Sequence, residues 1–138
     1  MGVRVRVGIK YRDRYVVTAA LLNSGYETSE PEIHIPLALA RRLGFSLEGL
    51  RSERYSVVGT EVTTYVLGYV QVRVEAGDRV TDWVRARAVM VPGEYEVLLS
   101  DSLIEALNIQ IVKPRQGVWK FVDEEKQRLS VEPMYWME

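Results

Sequence analysis

An apolar run, Ala19-Ala20-Leu21-Leu22, ends at Asn23-Ser24-Gly25, and the stretch that follows carries Glu27, Glu30, Glu32 and His34. The Asn23 carboxamide accepts and donates hydrogen bonds, but it has no titratable proton and cannot act as a general base. Ser24 adds a hydroxyl, and Gly25 adds a backbone able to take the positive φ that other residues avoid. In isolation Asn-Ser-Gly is an ordinary turn. Glu27 is the neighbour that could supply a displaced acid; against this, the spacing aims none of the three glutamates at Asn23, and the plainer reading is a solvated acidic loop. His34 alternates away from Ile33 and Ile35, so it faces the opposite side of its strand and reads as structural rather than catalytic.

Composition narrows the chemistry further. The 138 residues suffice for one domain with a real core. With 47% hydrophobic and 27% charged residues the chain is globular, and a net charge of −1 gives no long-range pull toward nucleic acid or an anionic membrane. The absence of cysteine removes disulfides, thiol nucleophiles and thiolate metal sites, and a single histidine excludes metal centres built on several imidazoles within one chain. No metal or cofactor is expected. The first residues, "MGVRVRVGIKYR", alternate charge with valine and predict neither a signal peptide nor a membrane span, so a soluble, cytoplasmic protein is the expectation. Arginines outnumber lysines 14 to 4, which fits a heat-adapted source.

The elements that must position the turn follow from periodicity. Val3, Val5, Val7 and Ile9 alternate with polar residues as a strand with one wet face, and Tyr15 to Leu22 returns as its hairpin partner. "EIHIP" is a short strand. Pro36 then opens a short helix with Leu37, Ala40 and Leu43 on one stripe and Gly44 as its stop. Residues 55–58 and 61–75 are strand-rich around Val58-Gly59-Thr60, and a third long run extends from Arg79 to Val91. Val97 to Leu99 leads into a helix at Ser100-Asp101-Ser102, where Ser102 with Glu105 reads as a capping box and Asp101 favours the helix dipole. "IQIV" and "GVWKFV" give closing strands. Many short strands with two short helices predict a mostly β domain, a closed barrel or paired sheets.

This order of strand, "ALLNSG", "EIHIP", short helix, long hairpin and "EVLLSDSLIEAL" resembles the retroviral-type aspartic proteases, the retropepsin family, over residues 3–122. The resemblance implies a closed acid-protease barrel with one or two short helices, paired as a homodimer because the chain holds one copy of the motif. Residues 123–138 form a tail packed on the domain or at the dimer interface, where Tyr135 and Trp136 would serve as anchors. It also implies that Asn23 stands where the family carries its aspartate, that Ser24 braces the opposite loop, and that Val58, Gly59 and Thr60 form the tip of a flap over an extended peptide. In the family two carboxylates about 3 Å apart share one proton, one activating water while the other polarises the carbonyl. Asn23 removes that device, and Leu98-Leu99-Ser100 replaces a later apolar-apolar-glycine.

Three readings stand at this level. One is a catalytically silent, dimeric peptide-binding or structural module. Another is an aspartic peptidase whose acid has been substituted at Asn23 or arises there by deamidation. The third is an unrelated β-barrel binding protein, since short-strand patterns recur among superfolds.

Overall fold

The computed structural model describes residues 2–57 and 60–137. The N-terminal alternation does what its period requires: β1 (Arg4–Tyr11) pairs antiparallel with β2 (Arg14–Leu22), and Val5, Val7 and Ile9 are completely buried. Only Arg12 and Asp13 join the two strands, and Arg12 takes φ 56°, the sign that lets a two-residue turn follow the strand twist. In chain order follow β3 (Glu32–His34), α1 (Leu37–Arg42), β4 (Arg51–Val57), β5 (Thr60–Val74), β6 (Val84–Met90) and β7 (Val97–Leu99). The last elements are α2 (Asp101–Ala106), β8 (Ile109–Lys113), β9 (Val118–Phe121) and β10 (Gln127–Leu129).

Six strands, in the order β1-β2-β7-β3-β6-β5, close into a barrel when β5 returns to β1 from Val7↔Val74 to Lys10↔Gln71. Pairs β2/β7 and β3/β6 are parallel, and β7 runs antiparallel to β3 between them. Alternation then divides the wall: Ile33, Ala86, Ala88, Val97 and Leu99 point into the core, whereas Glu32, His34, Arg87, Val89 and Leu98 occupy the other face. One half of β5 belongs to the wall. Its other half leaves the barrel with β4 as a hairpin, registered from Arg51↔Val66 to Val57↔Thr60. The departure coincides with a bulge between Val66 and Gly68, where Gly68 adopts φ 138° and an added Cβ would lie 3.7 Å from Phe45. An extra residue there bends the strand and re-aims the hairpin.

Helix α1 starts after Pro36 and stops at Gly44, whose φ of 87° is the left-handed cap expected of it. Its buried stripe is Leu39, Ala40 and Leu43, with Leu37 only half-buried, a rotation from the expected face. Three further expectations need correction. The run from Arg79 is not one strand, because Ala76 N–H donates to Arg79 O and Val74 N–H to the Thr81 hydroxyl, holding the chain in a turn until Val84. The cap of α2 is Ser100, whose Oγ accepts from Leu103 N–H, and not Ser102, which lies inside the helix. The charged start of the tail holds a strand, β10, that completes a small sheet β8-β9-β10.

That sheet joins the same core through Ile109, Trp119 and Phe121. Arg79 lies 4.3 Å over the Phe121 ring while pairing with Asp123 and Glu124, and Arg128 pairs with Asp78 and Glu124. Arg128, then Lys126, holds the Asp78 carboxyl well below the usual carboxylate range. Beyond β10 the chain lies on its own barrel: Val131 N–H donates to Arg4 O, and Trp136 donates from its backbone to Tyr95 O and from its indole to the Thr18 hydroxyl at 3.0 Å. Among the described residues no helix is long and apolar enough to cross a membrane.

Leu99 sits at the centre of this construction, fully buried with Leu22 beside it on β2 and Ile33 on β3. Leu99→Ala is expected to lower stability by about 3 kcal/mol, the usual loss for an unfilled core leucine, seen as a fall in the urea midpoint at unchanged slope.

Candidate functional site

The turn after β2 is fixed from three directions. Asn23 N–H donates to Leu99 O at 3.1 Å, Tyr26 N–H donates to Asn23 O at 3.0 Å, and Gly25 N–H donates to the Asn23 side-chain oxygen at 3.2 Å. The last bond is an Asx turn, which folds the carboxamide back on its own backbone. Gly25 reaches this turn without a positive φ, contrary to the role expected of it. Asp101 then ties the loop to α2: its N–H donates to Tyr26 O, and its carboxylate accepts from Thr28 N–H and Ser102 N–H.

The loop borders a cleft of about 650 Å³. Its floor is the outer face of β3, β6 and β7, with Glu32, His34, Arg87, Val89 and Leu98, and Val62 and Thr64 of the β5 hairpin line its far side. Of the residues singled out in the sequence, Asn23, Gly25 and Glu27 line this cleft, and Ser24 stands exposed beside them. Thr60 heads β5 opposite Val57, while Val58 and Gly59 lie outside the described residues.

The three glutamates do not form one solvated loop. Glu27 is exposed at the rim, and Glu30 accepts from the Tyr69 hydroxyl at 3.0 Å. Glu32, only 5% exposed, accepts from the Tyr26 hydroxyl at 2.5 Å and from Arg87 Nη1 at 2.9 Å. Arg87 is shared with Glu53, and these pairings, Glu53 foremost, hold its guanidinium firmly protonated. A desolvated pair of this kind is tolerated because each member has partners; deleting one member leaves the other charge buried alone.

Ser100 stands where the resemblance expects a glycine, and its side chain is engaged. It is completely buried, its Oγ accepts from Glu32 N–H at 3.1 Å and from Leu103 N–H at 3.3 Å, and its N–H donates to Glu32 O. One hydroxyl thus joins β3 to the start of α2.

His34 is 1% exposed, and its Nδ1 lies 2.9 Å from Glu96 O. A carbonyl oxygen only accepts, so Nδ1 carries the proton toward Glu96 O; the Val91 backbone carbonyl also meets the ring, and among the described residues Nε2 has no hydrogen-bond partner. Burial pushes the imidazole pKa down, the Glu96 carbonyl, the Glu94 charge and the Val91 carbonyl opposing it.

Sequence reasoning passed over Tyr26, Glu32 and Arg87 as site residues. Alternation had put Glu32 with His34, opposite Ile33 and Ile35, and the same rule sets Arg87 opposite Ala86 and Ala88. The register Glu32↔Arg87 that brings them together has no local signature. Among the described residues no group of three or more histidine or carboxylate side chains could hold a metal ion. No family model matches the chain, and no curated protein is significantly similar to it. Asn23 presents a carboxamide at the turn, Glu32 is engaged by Tyr26 and Arg87, and Val62, Val89, Val91 and Leu98 add apolar lining.

The depressed His34 pKa has a definite sign. Between its folded value and the ordinary value of about 6.5, the unfolded chain binds the extra proton. The stability from a neutral His34 is therefore fully present above about pH 6.5 and is lost as pH falls toward the folded pKa. Chemical unfolding from about pH 7.5 to about pH 5 should show a falling midpoint, and His34→Phe should flatten that slope because the chain has no other histidine.

Proposed function

We propose that this chain is a catalytically silent, retropepsin-like module that pairs about a two-fold axis and binds an extended peptide. The observation that carries the reading is the delivery of Asn23-Ser24-Gly25 by β2, locked beside β7 through Asn23 N–H to Leu99 O, at the edge of a cleft that Val62 and Thr64 of the β4/β5 hairpin also line. That combination is what the family uses to bring an acid and a covering hairpin to a peptide. Here the acid is a carboxamide, so water has no base to activate it. β4 also ends the order of the large sheet, which leaves one strand edge for main-chain pairing with a peptide.

A second copy follows from the chemistry of the motif. Two loops facing each other across an axis would bring two Asn23 side chains together, a neutral contact without the like-charge cost of two aspartates.

The test compares the chain with Asn23→Asp, using light scattering and hydrolysis of a mixed peptide library at acid pH. Both proteins should be dimers. The chain itself should not cleave, whereas Asn23→Asp should gain slow cleavage with a bell-shaped acid optimum belonging to the carboxyl pair. A monomer, or robust cleavage by protein whose intact mass shows Asn23 unconverted, would falsify the reading.

A further inference from the structure

We propose that the outer face of β2, β1, β5 and β6 is a binding surface for single-stranded nucleic acid. The residues that carry it, Lys10, Tyr15, Tyr69, Arg73, Trp83 and Arg85, are not among the described residues lining the cleft, so the proposal stands apart from the peptide-binding reading.

Register builds this face. Lys10 pairs with Tyr15 on one side and Gln71 on the other, Gln71 pairs with Arg85, and Gly8 pairs with Arg73 in the next outward row. Their neighbours Val7, Ile9, Val72 and Ala86 are completely buried, so alternation sends the first set to the outside. Over the outward positions of the four strands and the adjoining Glu75, the cations are Arg4, Arg6, Lys10, Arg73, Arg85 and Arg87, and the one carboxylate among the described residues is Glu75. Arg4 is paired with Glu96, Arg73 with Glu75, and Arg87 with Glu32 and Glu53. Arg6, Lys10 and Arg85 are exposed and have no carboxylate partner among the described residues, which leaves the face positive. The net charge of −1 conceals this because it is a sum over the whole chain.

Flat groups are the second argument, and it is independent of charge. The Arg85 guanidinium lies 3.7 Å over the Tyr69 ring, and that of Arg73 lies 4.3 Å over Trp83, which meets Tyr15 edge-on with centroids 6.2 Å apart. Gly8 makes room for this arrangement. A Cβ there would collide with the Tyr15 ring and the Glu75 carboxylate; without one, Tyr15 reaches Glu75 and donates its hydroxyl to it, while Arg73 Nε donates to the same oxygen at 3.1 Å. Tyr15 and Tyr69 nevertheless remain 47% and 40% exposed, so both rings are open to a further partner.

The two arguments together select the partner. An acidic protein segment or an anionic headgroup would use the cations and leave the rings idle. A nucleotide strand uses both, its phosphates meeting Arg6, Lys10 and Arg85 and its bases stacking on exposed rings or on guanidinium planes. A duplex keeps its bases stacked on one another, so a single strand is the form that fits.

The experiment uses the full chain. Fluorescence anisotropy compares labelled dodecamers of oligouridylate and oligothymidylate with a duplex of the same length, and inorganic polyphosphate and polyglutamate serve as unlabelled competitors. Single strands should bind at least about tenfold tighter than the duplex, and both competitors should displace them poorly at matched charge. The logarithm of affinity should fall with that of salt at a slope of about −2, from three cations at about −0.7 each. Lys10→Gln and Arg85→Gln, at exposed positions, should each make that slope shallower by about 0.7 while leaving the urea midpoint unchanged. Binding should also quench tryptophan emission, and Trp83→Phe, which keeps a ring, should remove the quench. Binding of either strand in this pattern supports the inference, and a preference between the two identifies the sugar. Equal displacement by polyphosphate or polyglutamate, or equal binding of the duplex, reduces the face to an anion patch and overturns the assignment to single strands. A quench unchanged in Trp83→Phe puts the strand elsewhere on the molecule, and no binding by either strand removes the surface altogether.

Discussion

The parallel alignment of β2 with β7, from Ala20↔Val97 to Leu22↔Leu99, is the constraint from which the rest of the cleft follows. Parallel neighbours cannot be joined by a tight turn, so their pairing depends on contacts made far apart in the chain. Here those contacts concentrate at Leu98-Leu99-Ser100. Leu99 fills the core from the middle of three strands, its carbonyl takes Asn23 N–H, and Ser100 binds both backbone groups of Glu32 while capping α2. The end of β2, the start of β3 and the start of α2 are therefore registered by one short segment. A slip of a single residue would exchange core and cleft faces, sending Glu32 and His34 inward and Ile33 outward. The core will not accept that exchange, and so the turn at Asn23 has only one position relative to the cleft floor.

Burial of charge gives this floor its rigidity. Glu32 and Arg87 are held on adjacent parallel strands with Tyr26 and Glu53 as their outer partners, so each ion loses water but not hydrogen bonds. The outer network at Asp78, Arg79, Glu124 and Arg128 differs in kind, since its carboxylates stand nearer water than Glu32 does and its pairs fasten the small sheet to the barrel. Pairs of the second sort contribute little individually at room temperature. Their arrangement as a network around Phe121, with Arg79 and Arg128 stacked on the ring, couples charge to packing. It is in such networks, more than in isolated pairs, that a high arginine content gains value as temperature rises.

What was legible in the sequence was local. The valine alternation of β1, Pro36 and Gly44 around α1, and the apolar strand running into Ser100 each signal through neighbours a few residues away, and each formed as its pattern requires. A mostly β domain followed from the number and shortness of such strands, which left a closed barrel and paired sheets both open; closure was an expectation from the resemblance. What escaped was pairing at a distance: the Glu32 to Arg87 bond spans 55 positions, and alternation can say which face a residue occupies without naming the strand opposite. Composition misled at Glu32, which looks as solvated as the exposed Glu27 and Glu30 unless a buried arginine is known to be waiting. The strand β10 escaped for a related reason. Its charges, which look like a solvated tail, are the partners of the small sheet.

The same geometry bears on why residue 23 is an amide. A carboxylate there would stand at the border of a cleft that already contains Glu27 and Glu32, with Arg87, the one cation among its described lining residues, engaged twice. Like charges at short range raise one another's pKa and oppose ionisation. In the proposed pair a second copy would double the problem at the axis. An asparagine keeps the part of the motif that organises the loop, since its oxygen still accepts from Gly25 N–H, and omits the charge. On the proposed reading the amide keeps the hydrogen bond that shapes the loop without adding a third carboxylate to a border that already carries Glu27 and Glu32.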